Sequence, residues 1–331
     1  MENSNSLKYK YIVVGYGYDY YYYVYRQLTE LSNTSFTINW PSSRIIRRIF
    51  SDFFSYNLPF KKVWLRFFIC FLKRKARNMN CNNKDNICFL LLAGGANNTL
   101  LSYNLCERIK ESFENSKVVF FINDLISKTK QPVFLMKEHA DLVYSFDPQD
   151  CKKYGLLNHV IPYSEFPFPK EVSPKYDLAF VGAAKDRLNE ILSIYFYLVK
   201  NNVKCYFRII GVPKEEQIQA DGLFYSGIIS YDENLKILNN CNCILDVIQG
   251  DSSGNTIRVG EAIILGKKLL TNNTNTPHNG VFDENNMRVF NKPEDIDIQF
   301  LLDRSSVSYD IKEKMYPIDL LHNIDSYICN E

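Results

Sequence analysis

The sequence predicts an α/β protein of two domains, each built on a mainly parallel β-sheet. Short apolar, β-branched runs recur in both halves, and most of them lead into a small-residue turn and then a helical pattern. A proline-rich stretch without periodicity, 159–176, separates the halves. The length of 331 residues suits two domains of ordinary size.

In the first half, each predicted strand is followed by a turn or a helix. Strands are predicted at 9–14, 86–92, 118–122 and 140–146, with helices at 19–31 and 97–112 and shortly after 147. Gly15 and Gly17 form a turn after the first strand, a weak nucleotide signal because the third glycine of the fingerprint is missing. Asp124 follows the third strand, and ligands of parallel sheets bind beyond the carboxyl ends of strands.

Residues 44–77 hold ten Lys or Arg and one acidic residue, Asp52. Apolar residues recur there at helical spacing, but the segment 63–72 is too short for a bilayer core, which needs about twenty residues. Basic, aromatic and amphipathic segments of this kind bind anionic membrane surfaces. Two alternatives stay open: core helices with solvated cations, and a nucleic-acid surface, which the acid-rich remainder of the chain disfavours.

The second half begins after a break near residue 170. Strands are predicted at 176–181, 205–210, 227–229, 243–249 and 267–272, and one helix runs to residue 200. Ser230 is expected to cap the helix that follows it, since Glu233 stands at the capping-box spacing. Residues 305–328 are amphipathic enough for one or two terminal helices.

The stretch 243–272 reads as a strand, a loop of small residues, a helix and a second strand. Small residues let backbone N–H groups approach a ligand, and a helix N-terminus attracts phosphate. Arg258 could bind a diphosphate in bidentate fashion, and Glu261 could accept hydrogen bonds from ribose hydroxyls. Gly266 is the expected end of the helix. An ordinary βαβ unit with solvated Arg and Glu is the alternative interpretation.

This stretch resembles the donor site of GT-B glycosyltransferases, most closely those of bacterial capsule and lipopolysaccharide assembly. The matching residues are Gly250, Gly254, Thr256, Arg258, Glu261, Ala262, Gly266, Lys267, Lys268 and Asn272. Many retaining members carry a second Glu eight positions before the helix Glu, where this chain has Ser253. The resemblance implies two Rossmann-like domains whose mainly parallel sheets face each other across a cleft. The expected domains are 1–170, with the basic insertion 44–77, and 171–305, with a helical segment 306–331 that could pack back on the first.

The resemblance also implies which residues bind the donor. The turn after the first strand of the second domain holds Gly182, and a cation just beyond it, Lys185 or Arg187, would reach the diphosphate. The remaining candidates lie in the loop and helix: Ser253, Gly254, Asn255, Thr256, Arg258 and Glu261. Replacing Arg258 or Glu261 by alanine should then weaken nucleotide binding without unfolding the protein.

An inverting reaction needs a general base from the first domain. Asp19, Asp124 and His139 are the candidates, and the sequence does not choose among them. No metal or other cofactor is expected, because neither a Cys/His metal spacing nor a suitable carboxylate pair is evident. Cations and a helix N-terminus could stabilise the leaving diphosphate instead.

Composition limits the classes of function. With 46% hydrophobic and 23% charged residues the chain is globular, and a net charge of +2 gives no overall affinity for polyanions. Nine dispersed cysteines and a start without a signal-peptide core predict a cytoplasmic protein, peripheral at the inner face of the cell membrane through 44–77.

The expected function is transfer of a sugar from a UDP- or GDP-linked donor to a saccharide or lipid-linked acceptor in surface-polysaccharide synthesis. The partners are therefore a nucleotide sugar, that acceptor and the anionic membrane surface, without nucleic acid. A non-catalytic sugar-nucleotide-binding or assembly protein of the same fold is the alternative, since Ser253 replaces a Glu. A dinucleotide-dependent oxidoreductase is a third class, disfavoured by the incomplete fingerprint at Gly15.

Overall fold

Two sheets, each of six parallel strands, organise the chain. The computed structural model describes residues 7–15, 20–37, 61–93, 102–129, 133–165, 173–248 and 252–330. These residues divide into two units, one within Met1–Ser164 and Tyr316–Glu331 and the other within Glu165–Met315. The predicted fold class, α/β with two Rossmann-like parallel-sheet domains, is confirmed. The structure divides the chain after Ser164 and after Met315, where the prediction had 170 and 305.

The sheet of the first unit has the strand order β2-β1-β3-β4-β5-β6. Its strands are β1 Lys10–Val14, β2 Thr34–Thr37, β3 Ile87–Ala93, β4 Ser116–Ile122, β5 Leu142–Ser145 and β6 Leu157–Asn158. Its helices are α1 Tyr20–Val24, α2 Lys61–Asn78, α3 Ser102–Ser112, α4 Ile126–Thr129, α5 Val133–His139 and α6 Pro148–Tyr154. The order reverses between β1 and β3, as in doubly wound sheets.

Helix α2 contributes one face to the core of this unit. Phe68, Leu72 and Ala76 recur at helical spacing and are buried against the sheet strands. The opposite face is exposed and basic, with Arg66 and Arg74 among its residues. For the apolar run 63–72, the structure therefore supports the core-helix alternative on one face. The preceding part of the basic region, 44–60, lies outside the described residues.

The sheet of the second unit has the order β12-β11-β10-β7-β8-β9. Its strands are β7 Tyr176–Ala183, β8 Cys205–Ile210, β9 Leu223–Ser226, β10 Cys241–Asp246, β11 Lys268–Thr271 and β12 Met287–Val289. Its helices are α7 Leu188–Lys200, α8 Tyr231–Asn239, α9 Ile257–Leu265 and α10 Ile298–Leu302. The order reverses between β7 and β10, the point at which doubly wound sheets bind ligands.

The last helix, α11 Pro317–Asn330, belongs to the first unit. The Tyr11 hydroxyl on β1 donates to the Leu321 carbonyl at 3.0 Å and to Asp325 Oδ1 at 2.5 Å. The backbone N–H of Lys8 donates to the other Asp325 oxygen at 2.6 Å. Since Asp325 is buried, these donors replace the water that its carboxylate gives up. Burial and the Asp325 hydrogen bond raise the pKa of Tyr11 far above its ordinary value.

Two local predictions are confirmed and two need correction. The Ser230 hydroxyl caps α8 by accepting from the Glu233 N–H at 3.2 Å, and Gly266 ends α9 with φ of 62°. The strand expected at 227–229 lies earlier, at β9. The helix expected at 19–31 is an α-helix only over Tyr20–Val24 and continues as a 3-10 helix over Arg26–Glu30. Within the described segments, no helix is both long enough and apolar enough to cross a membrane.

Candidate functional site

The carboxyl ends of β7 and β10 carry most of the donor residues expected from the sequence. This is the switch point of the second sheet, and α9 begins beside it. We call the group formed by Arg187, Asp246, Thr256, Arg258 and Glu261 the α9 site.

Glu261 lies one turn into α9 and is 0% exposed. Its Oε1 accepts from the Tyr231 hydroxyl at 2.7 Å and from Asn234 Nδ2 at 2.9 Å, both on α8. Its Oε2 accepts from Arg258 Nη1. Three donors thus occupy three of the roughly four lone-pair positions of the carboxylate, which leaves about one for a ribose hydroxyl. The ribose contact stays a prediction.

Arg258 is held on two sides. One guanidinium nitrogen binds Glu261 and the other donates to the Val181 carbonyl on β7. Burial alone would lower the pKa of Arg258, but the Glu261 charge and hydrogen bond outweigh it and raise that pKa above its ordinary value. A guanidinium has five N–H donors, so the group keeps donors for a second anion.

Arg187 joins the two strands of the switch point. Its guanidinium donates to the Val247 carbonyl just after β10 and, at 3.2 Å, to the Ala183 carbonyl at the end of β7. It also lies 5.9 Å from the centre of the Phe180 ring. Burial lowers the pKa of Arg187, partly offset by Asp246. Lys185 is exposed, with the backbone in the left-handed region at φ of 48°. Of the two predicted phosphate cations, Lys185 is thus the more accessible one.

Asp246 was not singled out from the sequence, because it ends an apolar strand. It is 3% exposed, and it accepts from the Thr256 and Thr271 hydroxyls, each at 2.9 Å. Burial raises the pKa of its carboxyl, opposed by the two threonines and by the charges of Arg258 and Arg187. The carboxylate therefore lies close enough to both guanidinium groups to feel their charge, and its hydrogen bond to Thr256 fixes the cap of α9.

The loop before α9 is closed from one side by the segment that follows β11. Asn273 Nδ2 donates to the Gly254 carbonyl at 3.0 Å, and Asn279 Nδ2 donates to the Ser253 carbonyl at 2.7 Å. Ser253 is itself buried. The amide nitrogen of Asn255 is buried and has no hydrogen-bond partner among the described residues. A buried donor without a partner is costly, and a bound ligand oxygen would satisfy it.

Two small features complete the site. The Thr256 hydroxyl accepts from the Arg258 N–H at 3.1 Å, so Thr256 is the N-cap of α9. Gly182 lies near the end of β7, where a Cβ would come within 2.9 Å of the Phe180 ring. Glycine there lets the ring pack against the strand.

The predicted general bases are not brought together. Asp124 is exposed just beyond the carboxyl end of β4. Burial and the neighbouring Tyr21 are the main causes that raise the pKa of Tyr20, and the charge of Asp124 adds to them. His139 ends α5, just before β5 begins, and so lies at the amino edge of the same sheet, with its ring nitrogens 3.8 Å from Glu107 and 3.9 Å from Glu138. Asp19 lies outside the described residues.

Over the described ranges, no three His, Cys, Asp or Glu side chains are grouped so as to hold a metal ion. The charged groups that the structure brings together at a sheet switch point are therefore the cations and carboxylates of the α9 site.

The sequence matches no protein-family model and no curated protein. The structure is similar to the UDP-GlcNAc 2-epimerase from Methanocaldococcus jannaschii, at 12% identity and a TM-score of 0.47, covering 95% of this chain and 99% of that one. The Neisseria meningitidis UDP-GlcNAc 2-epimerase bound to UDP-GlcNAc is similar at 10% identity and a TM-score of 0.47, covering 95% of this chain and 94% of that one. The T4 phage protein BGT in complex with its UDP-glucose substrate is similar at 13% identity and a TM-score of 0.43, covering 96% of this chain and 95% of that one.

Proposed function

We propose that the chain is a glycosyltransferase that binds a UDP- or GDP-linked sugar at the α9 site. The observation that carries the proposal is the fixed position of Arg258, between a buried carboxylate and a strand carbonyl, at the N-terminus of α9. A guanidinium held in this way needs no rearrangement to meet a diphosphate, and the positive end of the helix dipole adds to its attraction.

The site combines cations with carboxylates that are already engaged. Arg187, Arg258 and Lys185 are its cations, Asp246 and Glu261 are its buried carboxylates, and Asp186 and Glu190 act on Arg187 from the exposed side. Asp246, Glu261 and Glu190 accept hydrogen bonds from protein donors. A diphosphate would therefore meet cations and N–H groups, and these same groups would stabilise the charge that develops on it as the leaving group.

For the general base, we propose Asp124. It is an exposed carboxylate at the carboxyl edge of a parallel sheet, where substrates of such sheets bind. His139 lies at the amino edge, among glutamates, and suits that role less well. The acceptor would be a saccharide or a lipid-linked saccharide of bacterial surface-polysaccharide synthesis, as the resemblance in 243–272 implies.

We further propose that α2 holds the protein on the anionic inner face of the membrane. Its outward face carries Arg66, Arg74 and Arg77, none of which forms an ion pair with a described residue, and Phe67 there is 57% exposed. Each cation near anionic headgroups contributes about 1 kcal/mol. Replacing the three arginines by glutamine should weaken binding to anionic vesicles about a hundredfold. Replacing Lys200, Lys214 and Lys314 instead changes the net charge equally and should leave it nearly unchanged.

A thermal-shift panel of UDP, GDP, CMP, NAD and SAM tests the nucleotide. A ligand at 100 times its dissociation constant adds about 2.7 kcal/mol, a shift of several degrees. Stabilisation by UDP or GDP supports the proposal, and stabilisation by NAD alone contradicts it. Nucleotide-sugar binding with neither transfer nor hydrolysis would instead favour the non-catalytic alternative.

The variant Arg258→Ala tests the location. Loss of a charge-assisted contact should weaken UDP or GDP binding roughly tenfold to a hundredfold. Arg304→Ala is the matched control, because Arg304 also binds a buried carboxylate, Asp177, but at the amino end of β7. Equal affinities in both variants would move the nucleotide away from the α9 site.

A further inference from the structure

Three aromatic rings form a ladder across neighbouring strands of the second sheet. Tyr176 begins β7, Tyr206 is the second residue of β8, and Phe224 is the second residue of β9. The ring centres lie 5.1 Å apart between Tyr176 and Tyr206 and 4.8 Å apart between Tyr206 and Phe224. Phe224 is 42% exposed although it is fully apolar. We call these three residues the aromatic ladder.

Two lysines border the first ring of the ladder. The ammonium groups of Lys175 and Lys204 lie 5.4 Å and 5.8 Å from the centre of the Tyr176 ring. Both side chains are exposed, and neither forms an ion pair with any residue that the structure describes. The third cation nearby, Arg208, is by contrast paired with Glu233. The ladder therefore ends in two positive charges that no described carboxylate neutralises.

A cavity of about 430 Å³ opens at the same place. Tyr176 and Phe224 line it together with Phe196 and Val199 of α7. Its charges come from Lys175, Lys204 and Asp221. Phe196 is 46% exposed, so the apolar walls are open to solvent. The volume falls in the range that ordinarily holds a small ligand.

We propose that the aromatic ladder and its cavity bind an acidic saccharide, a hydroxylated ring that carries a carboxylate or a phosphate. The apolar C–H face of a sugar ring packs on an aromatic face, whose negative quadrupole favours it. The anionic substituent pairs with Lys175 and Lys204. A nucleic-acid strand fits less well, because it needs a continuous track of cations, and Asp221 interrupts this one.

This site is separate from the α9 site. The ladder lies at the amino ends of β7, β8 and β9, whereas the α9 site lies at the carboxyl ends of β7 and β10. Strand β7 has eight residues, so the two sites are roughly 25 Å apart along it. Saccharide binding at the ladder needs no nucleotide, and the two proposals can fail independently.

Calorimetric titration of the full chain with trigalacturonate, galactotriose and galactose 1-phosphate tests the proposal, with and without UDP. We expect trigalacturonate to bind at least tenfold more tightly than galactotriose, and equally well with UDP present. Galactose 1-phosphate shows whether a phosphate can replace the carboxylate. Amide chemical-shift changes should fall on the first residues of β7, β8 and β9.

Two variants locate the site, and a third is their control. Lys204→Gln and Phe224→Ala should each weaken trigalacturonate binding about tenfold, since one removes a charge-assisted contact and the other a stacking face. Lys214→Gln removes another exposed lysine, beyond the carboxyl end of β8, and should bind like the parent. Unchanged affinity in the first two variants, equal affinity for the neutral trisaccharide, or no binding at all would overturn the proposal. If a single-stranded oligonucleotide displaced trigalacturonate at a concentration below that of the saccharide, the proposed ligand class would be wrong.

Discussion

Replacing Glu261 by glutamine tests both the stability and the chemistry of the α9 site. The carboxylate accepts from Tyr231, Asn234 and Arg258 without any exposure to solvent. A glutamine side chain offers one oxygen and one NH2 group, so its NH2 must face at least one of these donors. In either orientation Arg258 loses its anionic counter-ion. In addition, either Arg258 or the two donors from α8 lose their hydrogen-bond acceptor.

The expected cost follows from burial. Removing one partner of a fully buried ion pair costs about 3–5 kcal/mol. Arg258 is 17% exposed and keeps the nearby charge of Asp246, so we expect the lower end of that range. The matched control is Glu233→Gln, which removes the partner of Arg208 from a pair whose carboxylate side chain is 48% exposed. Exposed pairs contribute about 0.2–1 kcal/mol, so the control should change stability by less than about 1 kcal/mol. The structure thus changes the expectation that Glu261 can be replaced without cost to the fold.

Urea unfolding measures the first effect, and nucleotide titration below the unfolding transition measures the second. Glu261→Gln should lower the unfolding free energy by several kcal/mol and weaken UDP or GDP binding, while Glu233→Gln does neither. A loss of less than about 1 kcal/mol in Glu261→Gln would refute the reasoning, since the carboxylate would then not be the anchor of Arg258.

Three further predictions concern stability. Tyr11→Phe removes a donor from the buried Asp325 and should cost about 1–3 kcal/mol. Lys268 and neighbouring hydrogen bonds lower the pKa of Asp303 to about 2, so the stability from this carboxylate is present above its unfolded pKa and is lost as the pH falls from about 4 towards 2. Asp303→Asn should remove that part of the pH dependence. Gly222→Ala should cost about 3 kcal/mol or more, because φ is 78° and a Cβ would lie 2.3 Å from a backbone carbonyl oxygen.

Each of these variants has a control in the same unit. Tyr22→Phe changes an exposed tyrosine and should leave the unfolding midpoint unchanged. If it lowered stability as much as Tyr11→Phe does, the loss in Tyr11→Phe could not be assigned to the Asp325 hydrogen bond. Asp310→Asn should keep the acid dependence that Asp303→Asn loses. Gly227→Ala meets nothing within 4 Å and should be neutral or slightly stabilising, and equal effects at both glycines would rule out the steric reason.

Much of the second unit could be read from its sequence, because local rules act there. The run at Cys205–Ile210 alternates buried and half-buried residues, and it is the strand that its β-branched and aromatic residues predict. Ser230, Thr256 and Gly266 lie at the ends of α8 and α9, where capping depends on a few neighbouring backbone groups.

Two short edge strands could not be predicted, because local sequence patterns are too weak in so few residues. Strands β2 and β12 have four and three residues, too few for an alternating pattern to stand out, and their pairing with β1 and β11 supplies the missing information.

The sequence by itself determined that the chain forms βαβ units, where α9 begins and ends, and that Arg258 and Glu261 share one helical face three residues apart. These properties depend on residues close together along the chain. Only the tertiary structure decided that β7 lies beside β10, that Arg187 joins their ends, and that the buried Asp246 binds Thr256 and Thr271. Strand order follows from which sheet edges bury the most apolar surface over the whole unit, and no local pattern encodes that choice.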